Sequence, residues 1–156
     1  MVFVLGLLVA ITLAGMAFEY TSRKVRLPRA VGDWGAKGND DPRIAAAGML
    51  YCVATEDGPL DEGKSTQVIL LLSAKLGLTP AEARACLAGG QRLARRLDGN
   101  LNSRLHQLRG SIERHCSAQE KQDVVDMLRA VAGSSIERVP SIREALGRIA
   151  ASLLHG

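Results

Sequence analysis

The sequence predicts an all-α protein: an N-terminal single transmembrane helix, a linker, then a bundle of about six helices built as two pseudo-repeated hairpins. Three observations predict it. Val2 to Phe18 is an unbroken apolar run. From residue 41 onward, helix-start signals stand repeatedly at the head of apolar stripes with a helical period. Only residues 68–72 come near a strand pattern, and that run lies inside a long capped helical segment, so length decides for helix.

The apolar run sets the first element. As a helix it spans about 26 Å at roughly 1.5 Å per residue, a little short of a hydrocarbon core of roughly 30 Å, so Met1 and the interfacial Tyr20 complete the crossing. Residues 1–22 are therefore expected to form a membrane anchor. Gly15-Met16-Ala17 would also serve as a small-x-small cleavage site, but a signal peptide carries its positive charge before the apolar stretch. Here Arg23, Lys24, Arg26 and Arg29 all follow it. The positive-inside rule then puts the N-terminus outside and the body in the cytoplasm, as a single-pass anchor with a cytosolic body. Gly6, Ala10 and Ala14 recur every fourth residue and lay small side chains along one face, a face on which two anchors can pack as a homodimer. A lone anchor is the alternative. Residues 23–40 read as a basic juxtamembrane segment and flexible linker, with Pro28 and three Gly among residues 27–40 and no apolar period.

The helical body is expected over residues 41–156. Asp41-Pro42 opens a first helix to about Thr55, and Asp57-Gly58-Pro59 ends it in a turn. Asp61 caps a second, which Gly77 closes. Because Val68 to Leu72 are apolar on every side, this second helix is expected to be the central one. Thr79-Pro80-Ala81-Glu82 combines a capping box with Pro at the first position and starts a third, which Gly89-Gly90 is expected to kink or split. Leu101, Leu105, Leu108 and Ile112 stripe a fourth. Ser117-Ala118-Gln119-Glu120 is a second capping box and starts a fifth, with Val124, Val125, Met127, Leu128 and Val131 inside. Pro140 starts a sixth, with Ile142, Leu146, Ile149 and Leu153 on one face. Met49-Leu50 with Val53-Ala54 recurs as Met127-Leu128 with Val131-Ala132, each near a helix end, which suggests two related hairpins.

Composition narrows the function. A net charge of +4 is modest and owes much to the four residues beside the anchor, where an anionic bilayer attracts them. Aromatic residues make up 3% of the chain, too few to stack bases, so a nucleic-acid partner is not expected. Cys52, Cys86 and Cys116 are odd in number and lack any C-x-x-C spacing, which argues against a disulfide framework and a zinc site. Cys52 and Cys86 read as small buried hydrophobes. Cys116, just before a helix start, invites a thiol pKa lowered by the helix dipole.

No catalytic constellation emerges, and the chain is not expected to be an enzyme. His106 has no acidic partner nearby in sequence, His115 stands at a helix end where a cation is simply favourable, His155 is next to the terminus, and Ser111, Ser134 and Ser135 sit in no nucleophile elbow. Arg92, Arg95, Arg96, Arg104 and Arg109 would serve as a basic face for an acidic partner or the membrane, or simply as solvated helix surface.

The stretch Met49 to Glu62, followed by an apolar helix, Leu76-Gly77-Leu78 and the capping box at Thr79, resembles the tellurite-resistance TerB-like family. Asp57, Gly58 and Leu60 match its pattern of Asp-Gly, a hydrophobic residue two places on and an acidic helix start. A TerB-like domain behind an anchor is also similar to the front half of membrane-bound DnaJ-like co-chaperones, without their His-Pro-Asp-bearing J-domain. The resemblance implies an all-helical fold, a role in tellurite or envelope stress, and metal binding through acidic residues. Here those would be Glu56, Asp57, Asp61 and Glu62, with Ca²⁺ or Mg²⁺ as the cofactor; otherwise none is expected. The chain departs from the family at Lys64, where an acidic residue is usual, and at Ser134-Ser135, which replace a second Asp-Gly. The expected function is a membrane-anchored interaction or adaptor domain with an unidentified protein partner. The alternatives are a divalent-cation-dependent sensor and a co-chaperone-like regulator.

Overall fold

A computed structural model describes residues 40–156. The expected anchor with Gly6, Ala10 and Ala14, the basic cluster Arg23, Lys24, Arg26 and Arg29, and all but the last residue of the expected linker lie outside the described residues. Among the described residues no helix is long and apolar enough to cross a membrane.

The described chain is an all-helical bundle: α1 (Pro42–Ala54), α2 (Glu62–Leu76), α3 (Pro80–Ala94), α4 (Leu101–His115), α5 (Ala118–Ala132), α6 (Ser135–Arg138) and α7 (Pro140–His155). Local chemistry sets most of the boundaries. The side chains of Asp41, Asp61, Thr79, Asn100 and Ser117 each accept a backbone N–H from the first turn of the helix they precede. Both expected capping boxes form, with Glu82 and Glu120 returning a bond to the backbone N–H of Thr79 and Ser117. Gly77 ends α2 at φ 63°, in the left-handed region that a Cβ disfavours.

Three expectations need correction. Seven helices form among the described residues rather than six, because the second turn coils once more as α6. Ser135 is buried there, and its carbonyl accepts the N–H of Val139, which closes that single turn before Pro140 starts α7. The central helix is α1, not α2. Ten of the 13 residues of α1 are buried, and it packs on α2, α3, α4 and α5. Ala45, Ala46, Ala47 and Gly48 keep it thin enough to be approached from several sides. In α2 only Val68, Leu72 and Leu76 are buried, while Leu70 is 63% exposed. An all-round apolar run thus became a surface helix, since the small side chains of α1 competed better for the centre.

The third correction concerns Gly89-Gly90, which neither kinks nor splits α3. A Cβ added at Gly90 would lie 2.4 Å from the backbone N of Gly48 and 2.6 Å from the backbone C of Ala47. Gly90 lets α3 meet α1 backbone to backbone, whereas a Cβ at Gly89 would only touch the Ile44 side chain at 3.4 Å. On the far side, α7 closes the bundle over α4 and α5. Of the apolar residues expected in one core, Leu72, Leu105, Leu128, Leu146 and Ile149 are buried, and Ile69 is only partly covered.

Candidate functional site

The two interhelical turns that the sequence paired as echoes meet in space. The first leaves α1 at Thr55 and carries Glu56 and Asp57; the second leaves α5 at Gly133 and carries Ser134 and Ser135. Ser135 Oγ donates to Asp57 Oδ2 at 2.5 Å across 78 residues of sequence. Arg138 reaches back from α6 to the same hydroxyl at 3.4 Å.

At the centre of the first turn lies the ammonium of Lys64. It donates to Asp57 Oδ1 at 3.0 Å and to the backbone carbonyl of Ala54 at 3.0 Å. Ala54 ends α1, so the ammonium sits at the negative end of that helix dipole and satisfies one of its orphan carbonyls. Lys64 is itself the third residue of α2, where a cation opposes the dipole of its own helix. That unfavourable placement, a lysine in the first turn after an N-cap Asp, is the signal in the sequence that its charge is used elsewhere. The hydroxyl of Ser135 and then the Lys64 ammonium hold the Asp57 carboxyl below the usual carboxylate range.

The expected metal-ligand set does not assemble. Glu56 turns away from Asp57: Arg104 Nη2 donates to its Oε2 at 3.2 Å and Ser141 Oγ to its Oε1 at 3.1 Å. Asp61 spends Oδ1 on the N–H of Lys64 at 2.7 Å as the cap of α2. Glu62 is exposed in the first turn of α2. Among the described residues no three His, Cys, Asp or Glu side chains are grouped to hold a metal ion. A hard divalent cation takes about six to eight oxygens. Both oxygens of Asp57 are instead taken by an ammonium and a hydroxyl, both of Glu56 by a guanidinium and a hydroxyl, and Asp61 Oδ1 by a backbone N–H, so the four carboxylates do not converge on a site that fits such an ion.

The other candidates resolve in the same way. Arg104 pairs with Glu56 and Arg109 with Glu113, which takes both out of the expected basic face, while Arg92, Arg95 and Arg96 stay exposed. Ser111 is buried and donates to the backbone carbonyl of Asp40, and Arg114 and His115 hold the Asp40 carboxylate. The described chain thus begins clamped to the last turn of α4. His106 and His155 are exposed. Cys116 departs from expectation: burial pushes its thiol up to about 11, because it lies half-covered at the end of α4 against the core. Cys52 and Cys86 are buried as expected, and desolvation raises them to about 11 and about 12.

Sequence reasoning missed Lys64, Ser135 and Arg104 as members of one polar junction. Their partners lie in other turns and helices, so no local spacing announces them.

Neither a curated protein nor a solved structure matches the chain. A family model described as tellurite resistance protein TerB matches residues 43–153, from the first turn of α1 to the last of α7. That match covers most of the chain and the whole of the bundle just described, and the chain belongs to the tellurite-resistance TerB family.

Proposed function

We propose that this protein is a tethered recruitment module, a TerB helical domain displayed on the cytosolic face of a bacterial inner membrane. It holds another protein there during tellurite or envelope stress and performs no catalysis. The tether is residues 1–22, built on the apolar run Val2 to Phe18 and oriented by Arg23, Lys24, Arg26 and Arg29.

The observation that carries this reading is the Lys64 ammonium between Asp57 and the Ala54 carbonyl. An ion sensor needs a turn that changes when an exchangeable cation arrives. Here the cation is covalently part of α2, always present, and it already bridges Asp57 and the end of α1. The same geometry favours a rigid docking body over the divalent-cation sensor.

Two measurements test it. An alkaline phosphatase fused after Gly156 should be inactive and a cytosolic reporter active; the opposite pattern sinks the topology. Cross-linking and capture of the full chain from detergent, compared with a chain lacking residues 1–26, should recover a stress-induced partner at the membrane only when the tether is present. Recovery of the same partner in equal yield without residues 1–26 would remove the tether from the mechanism.

A further inference from the structure

Between them, α4 and α7 enclose a shallow cleft of about 180 Å³, lined by Asn102, His106, Arg109, Arg148, Ile149 and Ser152. The arginines, the imidazole and the carboxamide on that wall can each donate a hydrogen bond, and no carboxylate is among its lining residues. The surrounding helices share the bias. Together α4 and α7 carry Arg104, Arg109, Arg114, Arg143 and Arg148 against Glu113 and Glu144.

The two arginines of the cleft differ in a way that suits ligand binding. Arg109 is fixed: its Nε pairs with Glu113 Oε1 at 3.2 Å, its Nη1 donates to Ser152 Oγ at 2.5 Å, and Ser152 donates to Glu113 Oε1 at 3.2 Å. This closed triangle orients the guanidinium plane and leaves Nη2 uncommitted. Arg148, opposite on α7, and His106, on α4, have no side-chain ion pair or hydrogen bond among the described residues. Elsewhere the cations that link helices are consumed, Lys64 by Asp57, Arg104 by Glu56 and Lys75 by the buried Asp123. One preset guanidinium and one free guanidinium on the same cleft, with an imidazole and a carboxamide beside them, make a donor set for a compact multivalent oxyanion.

We infer that the α4–α7 cleft binds a phosphoryl oxyanion, taken either as free phosphate or as the headgroup of an anionic lipid. The clamp of Asp40 onto Arg114 and His115 brings the start of the domain to the same helix that supplies half of the cleft. A domain tethered through its N-terminus therefore has this edge within reach of headgroups. The free-anion form stands with or without a protein partner, and the lipid form rests on the tether proposed above.

Calorimetry on the full chain in a maltoside detergent at low ionic strength tests it, with inorganic phosphate as the first probe and dihexanoyl phosphatidic acid below its micelle concentration as the second. One saturable site is expected. R148Q should weaken it roughly tenfold, the usual consequence of losing a charge-assisted hydrogen bond, and H106Q/R148Q should weaken it further. R92Q/R96Q, which removes equal or greater charge at the C-terminal end of α3 and just beyond it, should leave it unchanged. Tighter binding of the lipid with the same dependence on Arg148 identifies a headgroup; equal or weaker binding identifies the free ion. Absence of saturable heat with both probes overturns the inference, and so does an equal loss in R92Q/R96Q, which would reduce the cleft to diffuse surface charge. Unchanged far-UV circular dichroism of R148Q, whose side chain is exposed, keeps folding out of the comparison.

Discussion

At the residue scale, Lys64 carries the most chemistry for its size, because a single ammonium closes the C-terminus of α1 and neutralises Asp57. Both side chains of the pair are partly exposed, 31% and 23%, so the pair itself contributes on the order of 1 kcal/mol and no more. Lys64→Met should lower stability by about 1–2 kcal/mol in urea unfolding, since it also strands a helix-terminal carbonyl. The double change Lys64→Met with Asp57→Asn should cost less than the sum of the two single changes, as expected for groups that face one another. Additivity would mean that they act separately. Added Ca²⁺ or a chelator should leave the wild-type midpoint where it was, whereas a calcium-raised midpoint would restore the sensor reading. Asp57 also sets an acid limit. Its folded pKa is depressed, so the stability it supplies is complete above the ordinary value of 3.8 and is lost as pH falls below that through the folded pKa. The same sign holds for Asp41: burial pushes its carboxyl up, but the bonds from Arg43 outweigh that and hold it low. Between pH 4 and pH 2, Asp57→Asn should lose stability less steeply than the wild type, measured as the slope of urea midpoint against pH.

At the scale of elements, two glycines in helices separate geometry from propensity. Gly90 is where α3 meets α1, and a Cβ there would fall 2.4 Å from backbone that cannot swing aside. Gly90→Ala should therefore push the helices apart and cost about 1–3 kcal/mol or more, the usual range for overpacking. Gly147, in the exposed middle of α7, has nothing within 4 Å of an added Cβ. Gly147→Ala should stabilise by about 0.5–1 kcal/mol through helix propensity alone. Thermal unfolding of the two variants should move in opposite directions; a shared direction would mean that the α1–α3 crossing yields easily and is not the tight contact of the bundle. The contrast also marks what local sequence can convey. Capping boxes at Thr79 and Ser117 were legible because every participant lies within four residues. The Gly89-Gly90 pair was legible as unusual, but what requires Gly90 is Gly48, on a helix whose position no local pattern specifies.

At the scale of the whole molecule, the same division decides which features could be read early. The helical class and the core stripes of α4, α5 and α7 followed from periodicity, since burial of one face imposes the period. The order of burial among helices did not. Hydrophobicity favoured the Val68–Leu72 run for the centre, while size complementarity gave that place to the alanines of α1. Of the acidic site, the cap role of Asp61 was legible, whereas the pairings of Glu56 with Arg104, 48 residues on, and of Asp57 with Ser135 are tertiary. These long-range ties make α7 a lid over the core: Ser141 bonds Glu56 in the first turn, and Leu146 is 6% exposed in the common core. If the bundle unfolds as one unit, removing Leu146 should destabilise all of it. Leu146→Ala should cost about 2–5 kcal/mol, the range for a buried leucine whose cavity cannot collapse. Ile69→Ala, at a partly covered position on α2, should cost clearly less. Urea unfolding of the full chain followed in parallel by circular dichroism and by hydrogen exchange in α1 should shift to the same lower midpoint in Leu146→Ala. Loss of protection in α7 alone, with α1 unmoved, would show that the last helix opens independently and that the bundle has two cooperative parts.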